Sequence, residues 1–187
     1  MSRAPVTDPE QAPLHDSAAG ATDRALAHAA EHCEAHGARF TPARRRVLAI
    51  LLAQGQPLTA YQLLDLLRDH QPGAQPPTVY RALDFLMRNE LVHRIESTNS
   101  YLPCNHQHCG HHHPEGEHWP QFLLCDRCGE TREVPLDSAL RQALTRQARE
   151  YGFEVGARPL ELHGLCPGCR DDDSPVRELA GSPDARS

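Results

Sequence analysis

The chain has no lysine: all 19 of its basic residues are arginine. A GC-rich genome accounts for that bias, so arginine abundance alone assigns no function. Long apolar runs are also missing. The longest, VLAILLA at 47–53, falls far short of the roughly 20 residues that a bilayer requires, which excludes a membrane span. The opening residues, MSRAPVTDPEQAPLHDS, lack the apolar core of a signal peptide. These absences predict a cytoplasmic protein. In that reducing setting the seven cysteines favour metal ligation over disulfides. Hydrophobic residues make up 39% of 187, enough for one ordinary domain or two small ones.

The net charge of −6 is unevenly spread. Residues 23–94 hold nine Arg against seven acids, whereas residues 95–187 hold nine Arg against fifteen. A mildly basic front half beside an acidic back half predicts two domains with different partners. Residues 1–21 and 171–187 are rich in Pro, Ala, Asp and Ser without periodicity, and read as disordered tails, the second acidic.

Between the tails, four helical segments come first. One runs from about Thr22 to His36 and stops at Gly37. Thr41 as N-cap and Pro42 at the first helical position open the next, which ends near Gly55. Thr59 caps a third, with Leu63, Leu64, Leu66 and Leu67 as its buried stripe. QPGAQPP breaks the chain, and a fourth helix begins at or just before Thr78 and ends near Asn89. The period then changes. LVHRIE and SYLPC read as a hairpin across an STN turn, so helices followed by a two-stranded wing predict a winged helix-turn-helix domain at 22–96. Residues 97–170 read as a small α/β domain. Its parts are the strand WPQFLLC, a knuckle CDRCG, a returning TREVP, a helix capped by Asp137, and a strand FEVGARPLELHG leading into LCPGC. With so few strands it leaves an edge or a helix face that a second copy would cover. The fold class is therefore α+β.

Cys125-x-x-Cys128 and Cys166-x-x-Cys169 carry the strongest chemical signal. Four thiolates close a tetrahedral zinc shell with no open position, which means structure and not catalysis. A redox C-x-x-C needs a strand-to-helix setting, and neither pair has one. His113-Pro-Glu115 followed by Cys125 and Cys128 resembles the zinc-deaminase pattern. Against this stand Leu124 in place of proline, a gap too short for the intervening elements, and the unused Cys166 and Cys169. A second, more diffuse set is His93, Cys104, His118 and Glu133. Taken singly, each has an ordinary structural explanation. Together they offer N, S, N and O donors across the junction of the two domains. The segment 105–118, NHQHCGHHHPEGEH, holds six histidines and one cysteine, and His111 to His113 compete with His118 for the third ligand.

On the fourth helix Thr78, Tyr80, Arg81, Asp84 and Arg88 lie off the apolar stripe of Val79, Leu83 and Leu86. Arg81 sits where a groove-inserted helix meets base edges and can grip guanine through two hydrogen bonds. Tyr61 can reach a phosphate or base, and Arg44, Arg45 and Arg46 supply phosphate contacts. The alternative is an ordinary solvated helix face; the adjoining wing favours DNA.

RFTPARRRVL, PPTVYRALDFL, LVHRIESTNSYLPC and FLLCDRCGETREV closely resemble the ferric-uptake-regulator superfamily and, within it, the zinc uptake regulator branch. The resemblance covers about residues 22–170. It implies a non-enzymatic, homodimeric repressor that binds a palindromic DNA operator, with no membrane and no small-molecule substrate as partner. It implies two zinc ions per chain: a structural one at Cys125, Cys128, Cys166 and Cys169, and a regulatory one at His93, Cys104, His118 and Glu133. DNA contact carries over to Arg81 and Tyr61. The segment between Cys104 and His118 is longer and richer in histidine than the family's usual loop. Within the superfamily, a thiolate such as Cys104 suits zinc better than iron or manganese, and a peroxide sensor would use an iron site without it.

Overall fold

Helix α1 (Ala18–Ala35) turns Leu26, Ala29 and Cys33 inward and ends before Gly37, whose φ of 65° suits a residue without a Cβ. The computed structural model describes residues 18–104, 119–156 and 158–170. Residues 18–21, expected within the N-terminal tail, are the first turn of α1; the rest of that tail and the one at 171–187 lie outside the described residues. Helix α2 (Pro42–Gln54) starts on Pro42 and closes at Gly55, whose N–H donates to the Leu51 carbonyl. Thr41 occupies the N-cap position but its side chain makes no capping hydrogen bond, so the proline and not the threonine marks this start.

Helix α3 (Ala60–His70) opens with a full capping box. The Thr59 side chain accepts from the Gln62 N–H, and the Gln62 side chain accepts from the Thr59 N–H at 2.8 Å. Leu63, Leu64 and Leu67 are buried as the periodicity requires, while Leu66 is only half-buried at the margin of the stripe. Helix α4 (Pro76–Arg88) begins with two prolines, whose missing N–H groups would have no partner in a first turn anyway. Thr78 is therefore its third residue. Val47, Leu51, Leu63, Leu67, Val79, Leu83 and Leu86 fill the space between α2, α3 and α4.

The wing has three strands, not two. β1 (Leu58–Thr59), β2 (Val92–Ile95) and β3 (Ser100–Pro103) form an antiparallel sheet in the order β1-β3-β2. β3 pairs on both sides, so the winged-helix unit extends past the expected boundary at residue 96. The turn between β2 and β3 closes with the Asn99 N–H on the Glu96 carbonyl, and Asn99 takes a left-handed φ of 48° that asparagine tolerates.

The second sheet has the order β5-β4-β6, with β4 (Pro120–Cys125) antiparallel to β5 (Thr131–Pro135) and parallel to β6 (Leu160–Gly164). The strand expected over 153–164 is thus confined to its last five residues. α5 (Ser138–Glu150) is capped by Asp137, whose carboxylate accepts from the Ala139 and Leu140 N–H groups. None of its side chains is buried in the single chain. A short α6 (Pro167–Arg170) follows β6, so Cys166-x-x-Cys169, expected without a strand-to-helix setting, does lie between a strand and one turn of helix. The two sheets meet through a small core of Ile95 and Leu102 from the wing and Phe122 and Leu124 from β4. Phe122 at its centre is 0% exposed.

Candidate metal centres and nucleic-acid interface

The knuckle after β4 is built by backbone hydrogen bonds. The Cys125 N–H donates to the Glu130 carbonyl, and the Gly129 N–H, at a φ of 77° that favours glycine, donates back to the Cys125 carbonyl. The Asp126 N–H reaches the Gly164 carbonyl at the end of β6, which carries Cys166 and Cys169 to the same place. All four sulfurs lie within 4.8 Å of one another. Cys128 Sγ and Cys166 Sγ are 3.7 Å apart. Disulfide sulfurs would be about 2 Å apart, whereas four sulfurs each about 2.3 Å from one zinc stand roughly 3.8 Å apart.

The thiols differ sharply in acidity. N–H donation, from the Cys166 backbone first (3.3 Å to Cys125 Sγ), holds the Cys125 thiol at about 6. Hydrogen bonding with Glu130 first, and burial next, pushes Cys166 up to about 12; burial also raises Cys169. The Cys125 thiolate forms readily while Cys166 and Cys169 resist, and a divalent cation among the sulfurs would favour the thiolates. The donor set fits a closed tetrahedral zinc site. This grouping speaks against a hydrolytic pairing of Cys125 and Cys128 with His113, which lies outside the described residues.

A second cluster spans the two sheets. His93 comes from β2, Cys104 from the end of β3, and Glu133 from β5; their donor atoms also lie within 4.8 Å of one another. His93 Nε2 is 3.6 Å from Glu133 Oε1, and Cys104 Sγ is 3.9 Å from the same oxygen. The side chains of His93 and Glu133 are 11% and 9% exposed. Cys104 is pinned by its N–H on the Leu91 carbonyl, and the His93 ring packs against Phe122. An imidazole, a thiol and a carboxylate at this spacing suit a borderline-soft divalent ion. His118, expected as the fourth ligand, lies outside the described residues, as do His106, His108, Cys109 and His111 to His113.

On α4 the side chains of Tyr80, Arg81, Asp84 and Arg88 are exposed along one face, with Thr78 half-buried at its start. Tyr61, at the start of α3, is 70% exposed. Arg45 and Arg46 face solvent. Arg44 does not: its guanidinium lies 3.5 Å from the centre of the Phe85 ring and donates to the Arg39 carbonyl. A cation stacked on an aromatic ring ties α2 to α4, a packing role that the expectation of a phosphate contact for Arg44 did not include. We expect Arg81→Ala to cost roughly 1–3 kcal/mol at one base pair and to relax specificity there. Arg45→Ala should instead weaken binding on all sequences and lower the salt slope by about 1. Titrations on base-substituted duplexes at several salt concentrations separate the two. Equal, sequence-independent losses would mean that α4 does not read bases.

Sequence reasoning passed over Glu161. Its carboxylate accepts from the Glu96 and Ser97 N–H groups in the wing turn. The partners lie 65 and 64 positions away, and no local pattern distinguishes this strand glutamate from a solvated one. The His163–Asp126 pair, 2.9 Å apart beside the four sulfurs, was likewise invisible.

A sequence model of the ferric uptake regulator family matches residues 35–163. The zinc uptake regulation protein of Escherichia coli strain K12 is 40% identical over 148 residues, covering 79% of this chain and 82% of that protein. The ferric uptake regulation protein of a Synechocystis species is 29% identical over 139 residues, covering 71% and 78%. Among solved structures, a zinc uptake regulator complexed with zinc and DNA superposes with a TM-score of 0.69 at 40% identity, covering 79% of this chain and 94% of that one. A crystal structure of holo XcZur gives 0.65 at 40% identity, covering 79% and 97%.

Proposed function

Because the chain belongs to the ferric uptake regulator family, we propose that it is a zinc-responsive, DNA-binding repressor of zinc-uptake genes, acting as a homodimer on a palindromic operator. One observation carries the zinc-responsive part. His93 and Cys104 belong to the winged-helix unit, Glu133 belongs to the second sheet, and their donor atoms converge across the junction. Relatives named for zinc uptake regulation, and a zinc uptake regulator in complex with zinc and DNA, support the same reading. They are named for regulation and not for a reaction, which supports a regulator over an enzyme.

Two zinc ions per chain are assigned. Cys125, Cys128, Cys166 and Cys169 hold the structural one; His93, Cys104, His118 and Glu133 hold the regulatory one. The chemistry that zinc supplies is a divalent charge tying neutral and anionic donors together without redox change. The residues do the rest. His93 and Cys104 move with the wing and α4, whereas Glu133 moves with the second sheet, so drawing the three together sets the angle of α4. In a dimer, that angle sets the separation of two recognition helices, which must match half-sites about one helical turn apart. Arg81, with Tyr80 and Tyr61, then meets base edges, while Arg45 and Arg46 meet phosphates. The exposed faces of α5 and of Leu123 and Leu162 provide the apolar surface for the second copy. No helix among the described residues is long and apolar enough to cross a membrane, and an operator as ligand places the protein in the cytoplasm.

The deciding experiment is a gel shift on a candidate operator, with and without chelator. Zinc should restore binding that the chelator removes. Binding indifferent to both would overturn the reading.

A further inference from the structure

Three residues form a row across the second sheet. Phe122 on β4 pairs with Glu133 on β5 and with Glu161 on β6. Residues directly opposite in a sheet project from the same face, so all three face the wing. Phe122 fills the middle of the junction with Ile95, Leu102 and Leu124. Glu133 ends the row at the metal cluster. Glu161 ends it on the other side, at the turn between β2 and β3.

There the carboxylate meets two successive backbone amides. The Glu96 N–H donates to Glu161 Oε1 at 2.7 Å, and the Ser97 N–H donates to Oε2 at 3.2 Å. Consecutive amides converging on one anion form a nest, and hydrogen bonds to an ionised acceptor are the stronger kind. Burial pushes the Glu161 carboxyl up, but hydrogen bonds from Ser97 and Glu96 outweigh it and hold the group below its ordinary value. It therefore stays ionised near neutrality. Glu96 is also engaged by Arg94 at 3.3 Å and Arg158 at 3.8 Å, both exposed pairs that add little.

We propose that Glu161 is a positioning residue for the regulatory response: a metal-independent latch that docks the wing turn on β6 and so preorganises the junction donors. The inference rests on the regulatory reading of His93, Cys104 and Glu133 given above. The wing is then fastened along two edges, through Glu161 at β6 and through the donor cluster at β5, with Phe122 between. When the latch holds, the wing already sits within reach of Glu133, and ion binding need not supply the docking. When it fails, the competent arrangement is a smaller fraction of the population and the apparent affinity for zinc falls by that fraction.

Glu161→Gln in the full-length protein tests this. Glutamine keeps the size, but its NH₂ faces one of the two amide donors, so one hydrogen bond becomes a repulsion between donors. Ser97→Pro is the reciprocal variant: it removes one donor at a turn position that accepts proline. In buffered zinc titrations of operator binding, each variant should need roughly tenfold more free zinc for half-maximal binding, the scale of one hydrogen bond to a charged group. Operator affinity at saturating zinc, and dimer content, should stay within about twofold of wild type. If both variants follow the wild-type zinc curve, Glu161 is no latch. A loss at saturating zinc with an unmoved midpoint also overturns the proposal, because it signals damage to the fold or the DNA contact. If Glu161→Gln does not fold, the midpoint of Ser97→Pro decides alone. A wild-type protein whose operator binding ignores zinc would instead overturn the regulatory reading itself.

Discussion

Cys125→Ser protein should lose the structural zinc and sediment as a monomer or an aggregate. Cys125 is the buried member of the four sulfurs, and N–H donation to its sulfur favours its thiolate. A serine hydroxyl there neither ionises nor reaches a metal as the thiolate does. The loss spreads because of how β6 is held. It is parallel to β4 and reaches it through α5, none of whose side chains is buried in the single chain. No short turn fixes its register; the Asp126 to Gly164 hydrogen bond does, and a metal held between the knuckle and α6 would add to it. Structural zinc contributes an apparent 10–16 kcal/mol in small zinc-folded peptides, comparable to the roughly 5–15 kcal/mol that holds a whole domain together. Metal analysis and analytical ultracentrifugation check this. A Cys125→Ser protein that stays a dimer with its full zinc complement would refute the four-cysteine assignment. The winged-helix core, built from α1 to α4, should keep its helical circular dichroism.

Cys104→Ser should do nearly the opposite. The substitution is close in size, and the backbone N–H is anchored on the Leu91 carbonyl without help from the side chain. The dimer and the four-sulfur zinc should remain, while operator binding stops responding to zinc. Losing a mere outer-shell partner typically costs 10–100-fold in metal affinity, so loss of a direct thiolate should cost at least about a hundredfold. His118→Ala should match it. Changing His106, His108, His111, His112 and His113 together to Asn should leave the high-affinity zinc in place, because none of the five is among the four proposed ligands. Chelator competition followed by gel shift reads all three variants. A Cys104→Ser protein that still responds to zinc would put the junction site elsewhere. Lost response in the five-histidine variant with response kept in His118→Ala would make the loop the sensor.

Local chemistry made much of this architecture readable in advance. Thr59 as a cap, Pro42 at the start of α2, and Gly37 and Gly55 each act within a few residues, so they leave a mark in the sequence; the prolines of QPGAQPP, read as a break, turn out to open α4. The two C-x-x-C pairs are similarly explicit, because ligand spacing is itself local. What escaped was either too short or too distant. β1 has two residues, Leu58 and Thr59, and no periodicity can show in two. It exists because β3 offers it an edge. Arg44 looked like its neighbours Arg45 and Arg46, and only the packing of α2 on α4 puts Phe85 beneath it. α1 begins earlier than expected because the alanines from Ala18 propagate a helix well despite a glycine among them. Glu161 needed a partner dozens of positions away.

The parallel pairing of β6 also bears on the order in which the molecule assembles. α1 to α4 and the wing are all made from residues up to 103, so that unit can close before the second one exists. The second unit waits for its own end: the Cys166 N–H that meets Cys125 Sγ comes 41 positions later in the chain. During synthesis, Cys125 and Cys128 emerge first and would form only half of a four-sulfur shell, with β4 and β5 already present to pair. Only when Cys166 and Cys169 follow can the four-sulfur cage shut. Such a cage would act as a proof of completeness: a chain cut short before Cys166 would present a finished winged-helix unit on an unfinished base.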